Sequence, residues 1–76
     1  MKKNDILSPE VLELLGLTEK DSVVYQSLLR LGSAPLRRVA ETANLNRGTA
    51  YDALKRLIAV GLVSHVDAKT HRYFTA

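Results

Sequence analysis

Residues 44–61 read NLNRGTAYDALKRLIAVG, and this stretch decides the fold. Asparagine tolerates the left-handed backbone that ends a helix, and a second asparagine two residues later offers a side-chain oxygen to cap the next one. Asn44-Leu45-Asn46 therefore predicts a tight turn, with a helix from Arg47 to about Val60 that Gly61 ends. Within that helix Ala50, Leu54, Leu57 and Ile58 recur at three- and four-residue spacing and form one core-facing stripe. Upstream, Leu36, Val39, Ala40 and Ala43 share a face of a brief helix that cannot run past Asn44. Two short helices joined by a three-residue turn make a helix-turn-helix.

Beyond Gly61 the period changes. Residues 62–66 and 71–75 are rich in valine, threonine and aromatics and flank Asp67-Ala68-Lys69-Thr70, which predicts a hairpin with a basic tip, a wing. Toward the N-terminus, Ser8 can cap a short helix that starts with Pro9 and Glu10 and stops at Gly16. Thr18 and Asp21 stand at capping-box spacing, and Val24, Leu28 and Leu31, widened by Tyr25 and Leu29, then repeat as a helix before Gly32. Gly32-Ser33-Ala34-Pro35 reads as a connection. The expected fold is mainly α with a small β-hairpin, a winged helix-turn-helix preceded by a short N-terminal helix. Residues 1–76 are expected to form one domain: an extension at 1–16, a three-helix core at 17–61 and the wing at 62–76.

With 76 residues, 46% of them hydrophobic, the chain suits a small globular unit with a modest core. It has no cysteine, so neither a disulfide nor a thiolate metal site is available, which fits a reducing compartment. The apolar stretch at 11–17 is broken by Glu13 and Gly16 and is too short to span a membrane, so no membrane association is expected and the cytoplasm is the expected location. The net charge of +3 is unevenly spread. Residues 1–35 carry four basic and five acidic side chains, whereas residues 36–76 carry seven basic and three acidic ones. A polyanion would meet the second half.

The candidate contacts follow from the helix that begins at Arg47. At about 100° per residue, Asp52 and Ala59 lie opposite the core stripe, flanked by Gly48, Thr49, Lys55 and Arg56, with Tyr51 at the margin. Gly48 has no side chain to hold a phosphate or base away, and Asn46, Arg47 and Thr49 surround a helix N-terminus whose free N–H groups favour an anion. Arg47 and Thr49 suit guanine edges or phosphates in a major groove. Asp52 has two readings: it accepts from a cytosine amino group, or it pairs with Lys55 and Arg56 and holds them in place on a solvated helix face. Tyr51 either packs against a neighbour or meets a sugar-phosphate. Arg37 and Arg38 open the first helix of the pair, where such motifs cross the DNA backbone, or else either one snorkels over the core edge. Lys69 and Arg72 supply the wing. His65, Asp67 and His71 could share a hairpin face, but a structural zinc site wants four protein ligands, so no metal or other cofactor is expected. No nucleophile elbow, phosphate loop or carboxylate pair marks an enzyme.

The segments LGLTEKDSVVYQSLLRLG (15–32) and LRRVAETANLNRGTAYDALKRLIAVGLV (36–63) resemble the DNA-binding domain of the TrmB family of winged-helix transcriptional regulators. The likeness runs over residues 15–75 and rests on Leu15-Gly16-Leu17-Thr18, Val24-Tyr25 before Leu28-Leu29, Arg47 before Ala50-Tyr51, Leu54, and Gly61-Leu62-Val63. Asn44, Gly48 and Gln26 depart from it: glycine, a hydroxyl residue and an apolar residue are usual there. The resemblance implies sequence-specific binding of double-stranded DNA. It further implies a coiled coil and an effector region, often for sugars, beyond the wing, so that these residues are either a small free-standing regulator or an excised DNA-binding domain with no small-molecule ligand of its own. The rival expectation is a winged helix that binds another protein instead of DNA. Ile6, Leu7, Val11, Leu12, Leu14 and Leu15 give the N-terminal segment apolar surface that a homodimer would cover, or that folds back over the next helix.

Overall fold

The computed structural model describes residues 8–67 and 71–76. Local chemistry sets the elements in order. Ser8 caps α1 (Pro9–Leu15) by accepting from the Val11 N–H at 3.4 Å, and Gly16, left-handed at φ 74, ends it. Thr18 opens α2 (Glu19–Leu31) through a reciprocal box: the Asp21 N–H donates to Thr18 Oγ1 at 3.3 Å, and the Thr18 N–H donates to Asp21 Oδ2 at 3.0 Å. Strand β1 (Ser33–Pro35) leads into α3 (Leu36–Ala43), which stops at Asn44 with φ 58. Asn46 then caps α4 (Arg47–Ala59) by accepting from the Thr49 N–H at 2.8 Å. Strands β2 (Ser64–Asp67) and β3 (Arg72–Thr75) complete the chain.

Helices α2, α3 and α4 pack on one another around Val24, Leu28, Val39, Ala53, Leu54 and Leu57, all fully buried. Two details of α4 differ from the apolar pattern. Ala53 lies at the centre of the packed face, whereas Ile58 is only half-buried at its margin. A methyl group carries little weight in a hydrophobic pattern, yet small residues allow helices to approach closely.

The sheet has three antiparallel strands in the order β1-β3-β2, one more than the expected hairpin. Residues 33–35, expected as a connection, pair with β3 so that Ala34 faces Phe74 and Pro35 faces Tyr73. Proline is tolerated because β1 is an edge strand. Phe74, 2% exposed, pins the sheet to the helices together with Ala34 and Val63. At the other end Leu12 and Leu17 enter the core, while Leu14 stays 86% exposed, so α1 folds back only in part. Ile6, Leu7 and Lys69 lie outside the described residues.

Candidate nucleic-acid interface

Because Ala50, Ala53, Leu54 and Leu57 hold α4 to the core, its other residues fall on two flanks and a crest between them. One flank faces the wing and the start of α3. A concavity of about 340 Å³ there is lined by Pro35, Leu36, Arg37, Tyr51, His71, Arg72 and Phe74. An adjoining concavity of about 280 Å³ adds Arg47 to Pro35, Leu36, Arg37 and His71. Neither is lined by a carboxylate. Their lining combines proline, leucine and ring side chains with guanidinium groups.

The opposite flank faces the start of α2 and has different chemistry. A concavity of about 510 Å³ is lined by Thr18, Glu19, Lys20, Thr49, Asp52 and Arg56, with both signs of charge represented. Arg56 does not pair with Asp52 there, as helical spacing allowed. Its guanidinium turns to Asp21 instead, with Nε donating to Oδ2 and Nη2 to Oδ1, each at 2.8 Å. Asp21 is fully buried, and Arg56 keeps 43% of its side-chain surface exposed. A forked pair with a desolvated carboxylate outcompetes a single bond to an exposed one. Burial pushes the Asp21 carboxyl up, but the Arg56 hydrogen bonds, the Thr18 N–H and the Arg56 charge outweigh it and leave the group below the ordinary carboxylate value. The Asp21 carboxylate in turn raises Arg56.

Asp52, on the crest, has Lys55 Nζ at 3.9 Å from its Oδ1, a contact in which both side chains are about 60% exposed. That half of the expected pairing is present. Lys55 also stands 5.1 Å from the centre of the Tyr51 ring, so the tyrosine packs under a cation on the wing flank.

Asn46, Arg47 and Gly48 are exposed at the first turn of α4, and Thr49 is half-buried beside them. A Cβ on Gly48 would meet only Asn46 Oδ1, at 3.5 Å, so no protein neighbour demands a glycine. Arg37 and Arg38 are exposed at the start of α3. Among the described residues, neither these two nor Arg47 has an acidic side chain within ion-pair distance. Arg72 is held by Asp67, its Nε donating to Oδ1 at 2.7 Å, and this bond lowers the Asp67 carboxyl and raises the arginine. His65 Nδ1 lies 3.7 Å from the same Asp67 Oδ1, whereas the His71 ring lies beside Tyr73. Among the described residues no cluster of three metal-ligating side chains occurs, and no helix is long and apolar enough to cross a membrane.

The sequence reading missed Asp21 as the partner of Arg56, and Pro35, Leu36, His71 and Phe74 as groove walls. A helix-turn-helix whose second helix carries a basic flank beside a three-stranded wing defines a winged helix-turn-helix domain. The family model described as "Sugar-specific transcriptional regulator TrmB" matches residues 12–76, and the chain belongs to that family of transcriptional regulators. No curated protein and no solved structure gave a match.

Proposed function

We propose that the chain binds double-stranded DNA in a sequence-specific manner, as a cytoplasmic transcriptional regulator or as the DNA-binding part of one. The observation that carries this reading is the one-sided charge beside α4: Arg37 of α3, Arg47 of α4 and the Asp67-held Arg72 of β3 line the concavities on the wing flank, and no carboxylate does. The first turn of α4 enters the major groove, with Asn46, Arg47 and Thr49 toward bases or phosphates and Gly48 leaving room for close approach. Arg37 and Arg38 hold the backbone on one side. Arg72, together with Lys69 of the expected basic tip, is assigned to backbone or minor groove on the other, and Tyr51 and Lys55 line the path between.

Fluorescence anisotropy across salt concentrations tests this, using duplexes recovered by selection from genomic DNA. Contacts to about four to six phosphates should make affinity fall steeply between low and physiological salt. Absent or salt-insensitive binding would sink the reading and favour the protein-binding winged helix.

The regulator acts as a homodimer through α1, a reading supported by Leu14 at 86% exposure. Two copies would then present recognition helices to half-sites about 34 Å apart. Leu12 is buried, so Leu14→Glu is the informative change. Sedimentation equilibrium should give a dimer for the wild type and a monomer for the variant, and a monomeric wild type would refute dimerisation.

A further inference from the structure

We infer that the Asp21–Arg56 pair sets the rotational position of α4 on α2, which makes both side chains positioning residues for base recognition and removes Arg56 from the set of DNA contacts. This rests on the reading of α4 as the recognition helix. The fully buried face of α4 is built from Ala50, Ala53, Leu54 and Leu57, with Ile58 packed half-buried at its margin. Apolar contacts are non-directional, and two of these four side chains are methyl groups, so the face holds α4 down without strongly opposing a small roll about its axis. Arg56 sits one residue, about 100°, round the helix from Leu57. A bond placed that far to the side has the leverage to resist rolling, and a fork with two parallel bonds fixes direction as well as distance.

The other end of the bond is equally fixed. Asp21 Oδ2 accepts from the Thr18 N–H at 3.0 Å as well as from Arg56 Nε, so the carboxylate is tied to the first turn of α2. Among the described residues no buried side-chain nitrogen or oxygen lacks a partner, and the pair closes without an orphaned group. Side-chain tips lie about 5–6 Å from a helix axis, so a roll of about 10° shifts them by roughly 1 Å. That is enough to spoil a bidentate base contact, which needs placement within about 0.5 Å.

The test compares the wild type with Asp21→Asn/Arg56→Gln, which removes one charge of each sign and leaves net charge unchanged. Both proteins are titrated, well below their melting temperatures, with a selected duplex and an unrelated duplex of equal length. The double variant should bind the unrelated duplex as the wild type does, with the same salt slope, and should lose about tenfold on the selected one, the order of one good base contact. A salt slope flatter by about one unit on both duplexes would make Arg56 a phosphate contact and overturn the inference. Unchanged discrimination between the duplexes would overturn it as well. A readout without DNA separates this outcome from failure of the DNA reading itself. Residual dipolar couplings of the α4 amides, referred to α2, should show a changed or broadened rotational setting in the double variant. Couplings identical to the wild type would end the proposal whether or not the protein binds DNA.

Discussion

Arg37 and Arg47 on the wing flank of α4 and Arg56 on its α2 flank are the same chemical type under opposite constraints. On the wing flank, Arg37 and Arg47 are exposed and free of acidic neighbours among the described residues, available to a ligand. On the α2 flank, Arg56 spends its fork on a carboxylate that water does not reach. Counting cations along the sequence treats the three alike. Burial of the partner separates them, because a charge-assisted fork to a desolvated group is far harder to redirect than an exposed contact.

Stability measurements should break the comparison most visibly. Arg56→Ala leaves the buried Asp21 without its counter-charge and should cost about 2–3 kcal/mol in urea unfolding, less than the 3–5 typical of removing one member of a fully buried pair because the guanidinium is partly solvated. Arg37→Ala and Arg47→Ala should stay within about 0.5 kcal/mol of the wild type. Equal losses on both flanks would erase the distinction.

DNA titrations should invert the ranking. Arg47→Ala is expected to narrow the advantage of a selected site over random DNA by about 1–3 kcal/mol. Arg37→Ala and Arg38→Ala should weaken all sequences alike and each flatten the salt slope by about one unit. An unchanged slope would remove those two from the backbone contacts.

Acid sharpens the contrast further. The Asp21 carboxyl titrates below its ordinary value of 3.8 in the folded protein, so its contribution is fully present above that value and disappears as pH falls through the lower folded one. Stability of the wild type should therefore drop below about pH 4 more steeply than that of Asp21→Asn. Parallel curves would show that the pair contributes little.

The smallest effect is expected on the crest. Asp52→Asn breaks only the exposed contact with Lys55 and should change stability by at most about 0.5 kcal/mol. Binding should stay level or rise on all sequences as a negative charge leaves the neighbourhood of phosphates. A changed preference at one base pair in site selection would instead identify Asp52 as a reader of cytosine.

What could be read from the residues alone was whatever short-range chemistry decides. Asn44 adopts the left-handed backbone, Asn46 caps α4, and Thr18 and Asp21 form their box, each within three or four positions of its partner. Long-range choices were not legible in this way. Helical spacing offered Arg56 the nearby Asp52, while its actual partner lies 35 residues upstream and was visible only as a cap. Strand β1 has three residues and ends in proline, too few to show alternation, and its existence depends on Phe74 arriving opposite Ala34. Groove walls such as Leu36 and His71 acquire meaning only when α3 and the wing meet.

The placement of β3 between β1 and β2 has a consequence for the order of assembly. The contacts among α2, α3 and α4 involve segments already present before β3 is synthesised, whereas β1 waits for a partner on the far side of the whole helix pair. The Thr75 hydroxyl donates to the Gly32 carbonyl at 3.4 Å across 43 positions, so completing the sheet closes a loop around α3 and α4. Loop closure of that kind grows costlier only with the logarithm of length, yet it slows a search dominated by local contacts. The helix-turn-helix, whose contacts are closer in sequence, can therefore dock while the edge of β1 is still open, and the wing is fastened last.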